Sequence, residues 1–213
     1  MGTTAHKAYH SIRQMMMDRE FIPGQRVSQS KLARKLGCST VPVVEAMRRL
    51  ESDGLLVKEP RKMAKVRTLS ARERKGLFLL RESLEGIAAR LCAEKITDEQ
   101  VETLNDLNQQ YENCAEQNPD NSEMALRTVT AIHHFIAECA ECSIVRDEIT
   151  RLVLVELTAR EGKVNHNPIG RPRSHRAVIQ AIADHDTDSA EYLMKKHIRD
   201  GYNETVEEFG ISH

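Results

Sequence analysis

The chain has 213 residues, enough for one large or two modest domains, with 40% hydrophobic and 30% charged residues, 4% aromatic and no Trp. That balance suits a helix-rich protein cored by Leu, Ile, Val, Ala and Met, and it excludes a membrane-spanning helix, because no apolar run approaches the roughly 20 residues that cross a bilayer. The net charge of −1 hides an asymmetry: residues 1–70 carry 14 Lys and Arg against 6 Asp and Glu, and the remainder carries 17 against 26, so a segment suited to a polyanion is joined to one that is not.

The opening MGTTAHKAYHSIRQ lacks the apolar core of a secretory signal, so a cytoplasmic protein is expected. Cys38, Cys92, Cys114, Cys139 and Cys142 form an odd set without framework spacing, as reduced thiols do. Ala5, Ala8, Tyr9, Ile12, Met15 and Met16 recur at helical spacing and stop before Pro23-Gly24, a turn signal. Ser28 or Ser30 can cap a second helix with the apolar stripe Leu32, Ala33 and Leu36, and Gly37 is placed to end it.

A third helix follows, capped by Ser39 or Thr40, with Pro42 in its first turn and Asp53-Gly54 at its exit. At 100° per residue Val43, Ala46, Met47 and Leu50 share its buried side, which leaves Val41, Glu45, Arg48 and Ser52 opposite and Val44 on the flank. LLVKEP and MAKVRTL then read as two strands joined by a basic tip. Three helices and a basic hairpin make a winged helix-turn-helix, whose third helix enters the DNA major groove N-terminus first.

From Ser70 onward the hydrophobic period is helical throughout. Helices are predicted over LLRESLEGIAARLCAEKI, ITDEQVETLNDLNQQYENCAEQ, MALRTVTAIHHFIAECAEC and SIVRDEITRLVLVELTAREGK. A loop, VNHNPIGRP, separates these from RSHRAVIQAIADHD and DTDSAEYLMKKHIRDGYNETVEEF. The expected fold is mainly α, with a winged helix-turn-helix over 1–70 and an all-α antiparallel helical bundle over 71–213. Cys139 and Cys142 have CxxC spacing but lie inside a predicted helix with no second pair, which argues against zinc or redox chemistry. His134 lies about 100° from His133 on its helix and is expected to face away, and His166 and His185 are expected at the surface.

Pro23-Gly24-Gln25-Arg26-Val27, Lys31-Leu32-Ala33, Leu36-Gly37, Pro42-Val43, Glu45-Ala46, Leu50-Glu51 and Asp53-Gly54-Leu55-Leu56 together resemble the GntR family of bacterial transcription regulators. Leu80-Arg81-Glu82 with Glu85, Ala88-Ala89-Arg90, Ile132-His133, His175-Arg176-Ala177-Val178 and Met194 with His197-Ile198 are similar to the effector domain of its FadR-like (FCD) branch. The family commonly places Arg directly after the serine and directly before the glutamate of the third helix, where this chain has Thr40 and Val44, and glycine at the wing tip, where it has Arg61-Lys62-Met63-Ala64-Lys65. The DNA site read by the family therefore does not transfer.

A basic frame remains. Lys31, Arg34 and Lys35 precede the third helix, Arg48 and Arg49 lie on it and Arg61, Lys62 and Lys65 form the wing; such cations set affinity and position through phosphates. Arg48 and Arg49 equally suit a solvated helix face. Base reading falls to Ser39, Thr40 and Val44, the last against a thymine methyl.

The FCD resemblance implies a divalent metal such as Zn or Ni held by His133, His175 and His197, with Val129 where the branch usually has an Asp ligand. Three core histidines satisfied by hydrogen bonds are the alternative. The resemblance also implies a small carboxylate or sugar-acid effector, with Arg81 and then Arg160 as its anion partners, although Arg81 equally suits an ion pair with Glu85 one turn on. The expected function is a ligand-responsive transcription regulator, a repressor acting as a homodimer on a double-stranded operator. The alternative is a constitutive DNA-binding protein whose helical domain only dimerises; an enzyme is not expected, since a basic winged module would then have no use.

Overall fold

The computed structural model describes residues 2–59, 61–117, 122–159 and 175–209. Two compact units emerge, one of residues up to Ser70 with the end of the seventh helix from Arg151, the other beginning at Ala71.

The first unit opens with α1 (Thr4–Met17), α2 (Gln29–Leu36) and α3 (Thr40–Ser52). Thr3 caps α1 by accepting the His6 N–H at 3.2 Å, and Ala5, Ala8, Tyr9, Ile12, Met15 and Met16 are all buried, the stripe that the sequence predicted. Ser28 rather than Ser30 caps α2, and Gly37 closes it in the left-handed region at φ 63°, where a Cβ would be strained. Val43, Ala46, Met47 and Leu50 form the buried face of α3. Ser39 takes the N-cap position of α3, but its hydroxyl makes no capping bond, and Pro42 is the third helical residue, inside the first turn.

The hairpin strands β1 (Leu56–Val57) and β2 (Lys65–Val66) are shorter than the sequence suggested and pair antiparallel, Leu56 opposite Val66 and Val57 opposite Lys65. The other edge of β2 is taken by residues that read only as a turn. Val27 N–H donates to Ala64 O at 2.8 Å and Val66 N–H to Gln25 O at 2.9 Å, with an antiparallel bridge between Arg26 and Lys65. Pairing on both edges gives so short a wing the support that a two-stranded ribbon lacks.

The second unit is all helical: α4 (Ala71–Lys95), α5 (Asp98–Gln117), α6 (Ser122–Cys139), the first half of α7 (Ser143–Ala159), α8 (Arg176–Ala183) and α9 (Thr187–Phe209). α4 begins eight residues earlier than the predicted helix. Its buried face is built from small residues, Gly86, Ala88, Ala89, Cys92 and Ala93, and α9 packs along it. A Cβ on Gly86 would stand 2.7 Å from Cγ of Lys195, so glycine makes room for that stem. Ile132 and Ile136 of α6, Val178 and Ile182 of α8, Met194 and Ile198 of α9 and Leu104 and Tyr111 of α5 complete the core.

Candidate functional site

Inside this bundle one ionisable side chain arrives from each of four elements: Glu85 of α4, His133 of α6, His175 at the N-cap of α8 and His197 of α9. Each is flanked by apolar core residues at helical spacing, so burying Ala88 and Ala89, Ile132 and Ile136, or Met194 and Ile198 carries the polar neighbour inward. His175 is fixed from α5: its backbone N–H donates to Asn108 Oδ1 at 3.2 Å, and Tyr111 meets its ring edge-on at 5.3 Å. The adjacent Arg176 grips Glu112 through bonds of 2.9 and 2.6 Å.

His133, His175 and His197 each present one ring nitrogen, and these three atoms lie within 4.8 Å of one another. Nε2 of His175 stands 3.2 Å from Nε2 of His133. His133 Nδ1 contacts Oε2 of Glu85, whose Oε1 accepts the Arg81 Nε–H at 2.7 Å. Glu85 is only 2% exposed; burial opposes its charge, but the Arg81 guanidinium and then His133 outweigh it and hold the carboxyl at about 2. Burial above all, with the neighbouring His133 and His197 rings acting in the same direction, pushes His175 well below the usual histidine range.

Neutral imidazoles from separate helices are the donor set for a borderline divalent cation. His175 Nδ1 is buried without a hydrogen-bond partner, so hydrogen bonds among its members do not close the cluster. Val129, one turn before His133, is half-buried against the core and offers no ligand atom. Arg81 is engaged by Glu85 and lies 5.9 Å from the Phe78 ring centroid; Arg160 and His166 lie outside the described residues. His134 is exposed beside Glu138, and His185 is held by Ala93 O at 2.7 Å. The thiols of Cys139 and Cys142 are free.

In the first unit, Ser39, Thr40, Arg48 and Arg49 are exposed along α3, and Val44 is half-buried. Val41, absent from the predicted readers, is 73% exposed in the first turn. Lys31, Arg34, Arg48 and Arg61 have no ion-pair partner among the described residues. The other cations are engaged: Lys35 pairs with Glu20, Lys62 and Lys65 both pair with Glu59, and the Arg49 guanidinium stacks 4.1 Å from the Tyr9 ring centroid. Charge counting could not reveal these partnerships. Nor did any local spacing mark Asn108, Tyr111 or the contact of Glu85 with His133, which tertiary packing creates.

Residues 4–66 match the family described as bacterial regulatory proteins, gntR family, and residues 76–200 match the FCD domain. The chain is 25% identical over 195 residues to the HTH-type transcriptional repressor RspR of Escherichia coli strain K12, covering 90% of this chain and 84% of that one. It is 27% identical over 130 residues to the uncharacterized HTH-type transcriptional regulator YdhC of Bacillus subtilis strain 168, a match covering 61% of this chain and 58% of YdhC. Among solved structures, E. coli McbR/YncC superposes with a TM-score of 0.78 at 19% identity, covering 98% of this chain and all of that one, a likeness of fold.

Proposed function

Because the chain belongs to the gntR family of bacterial regulatory proteins, with an FCD domain after its DNA-binding winged helix, and is a transcription regulator rather than an enzyme, we propose that it is a ligand-responsive repressor. Residues 1–70 bind the operator; residues 71–213 bind a small organic acid or sugar acid and join two copies into a homodimer. Such a dimer presents two recognition helices to the two halves of a symmetric site, and an effector favouring one arrangement of the bundle changes DNA affinity only through its differential affinity for the two states. The name that RspR carries supports repression. Membership of a family of transcription regulators supports action in the cytoplasm.

The convergence of His133, His175 and His197 carries this reading. These side chains would hold a zinc- or nickel-like cation, which when bound supplies a positive charge and open positions for an effector carboxylate. Arg81 and Arg160 are the proposed anion partners, and Arg81 then divides its guanidinium between effector and Glu85.

Metal analysis of untagged protein beside His175→Ala and His197→Ala variants tests the centre: stoichiometric metal in the wild type and loss in both variants is expected. Equal, near-zero content in all three would leave the histidines without a metal. Thermal shifts against a panel of organic acids test the effector, since a specific ligand raises the melting temperature by linkage. No shift with any acid would favour the constitutive DNA-binding protein whose helical domain only dimerises.

A further inference from the structure

We propose that Glu85 is the positioning residue of the histidine cluster: it fixes His133 with the proton on Nδ1 and the lone pair on Nε2 facing the cluster. This rests on the metal reading above and adds to it the residue that prepares the site. A carboxylate accepts hydrogen bonds and donates none, so the nitrogen of His133 that meets Glu85 Oε2 carries the proton. With a single proton on the ring, as metal binding requires, the lone pair is then on Nε2, the atom 3.2 Å from Nε2 of His175 and on the side where the three imidazoles converge.

The two oxygens of Glu85 have separate tasks. Oε1 accepts from Arg81 at 2.7 Å, which offsets the cost of burying the charge, and this leaves Oε2 for His133. Arg81 and Glu85 lie one turn apart on α4, so the carboxylate is oriented from within its own helix, independently of α6. A carboxylate on the far nitrogen of a ligating imidazole fixes ring and tautomer, and losing such a partner costs about 10–100-fold in metal affinity.

Competition titrations of untagged, metal-free, full-length protein with Zn²⁺ or Ni²⁺ against a chromophoric chelator test the assignment. Glu85→Gln keeps an acceptor but removes the charge and should weaken binding about 10–100-fold; Glu85→Leu removes both and should weaken it further. Both Glu85 variants binding within twofold of wild type overturns the assignment. An independent readout is the ¹⁵N spectrum of the wild-type imidazoles without metal: His133 protonated on Nδ1 is expected, and protonation on Nε2 alone overturns the assignment even should the variants misfold. Wild-type protein binding neither metal overturns the metal reading itself, a result distinct from wild-type-like binding by the variants.

Discussion

The Tyr9 hydroxyl in α1 donates a 2.6 Å hydrogen bond to Oδ2 of Asp53, the residue that ends α3. The bond joins helices separated by α2 in the chain, and the Tyr9 ring also carries the Arg49 guanidinium. Burial, then the bond to Asp53, raise the phenol above its usual value of 10.0. Tyr9→Phe retains the ring and removes the bond, and should cost about 1.5–3 kcal/mol, as for hydrogen bonds to a charged group. Because the folded state holds the proton more tightly than the unfolded chain, this stabilisation is complete below pH 10 and is lost as pH rises through the folded value. Melting temperatures of wild type and Tyr9→Phe, well separated at pH 7, should therefore converge at strongly alkaline pH; a constant gap would show that the bond does not titrate.

Glu59 holds both Lys62 and Lys65 on the wing, and these two cations in turn lower its carboxyl below the ordinary value. Two of the three basic residues near the wing tip are thus partly neutralised within the protein, leaving Arg61 unpaired among the described residues. Glu59→Gln should release both lysines toward phosphates and tighten binding to a non-specific duplex. The slope of log affinity against log salt should steepen by about 1–2, since each newly neutralised phosphate adds about 0.9. Anisotropy titrations across salt concentrations measure it, and an unchanged slope would place the two lysines away from DNA.

The helices were legible in the sequence because each buries one face, and a 3.6-residue period survives without knowledge of partners, as Val43, Ala46, Met47 and Leu50 illustrate. The strand role of Arg26 was not legible, because Pro23-Gly24 dominates that stretch locally while the pairing is made with Lys65 far along the chain. The histidines stood out as residue types placed by a family resemblance. Glu85 was part of the same resemblance, but its contact with His133 was not legible: the two are 48 residues apart, and its nearest pattern, Arg81 one turn earlier, reads as an ordinary helix ion pair. The basic surface was legible as a count, but which cations remain available depends on Glu20, Glu59 and Tyr9, a matter of side-chain geometry.

Arg61 adopts φ 61° at the wing tip, the left-handed region that glycine occupies without strain. For a residue with a Cβ that conformation costs roughly 1–2 kcal/mol. Arg61→Gly should therefore raise stability in denaturant titrations by about 1 kcal/mol, less than the full relief because glycine also loosens the unfolded chain. The same change should weaken DNA binding and flatten its salt slope by about 0.9 if the guanidinium meets a phosphate. Greater stability with undiminished DNA affinity would confine Arg61 to a structural role.

The first two turns of α3 present apolar side chains: Val41 is 73% exposed, Val44 is half-buried, and neither carries a hydrogen-bonding group. An apolar side chain in the major groove distinguishes thymine by its methyl group, whereas a forked Arg distinguishes guanine and is worth about 1–3 kcal/mol against a wrong base. Val44→Arg should therefore move one position of the preferred site toward guanine in a random-sequence selection. Val41→Ala should instead relax a thymine preference by a few-fold, on the scale of about 0.8 kcal/mol for each methylene no longer buried. Val41 is the more accessible, so its substitution should have the larger effect on thymine preference, and an unchanged selection with both variants would leave base reading to Ser39 and Thr40.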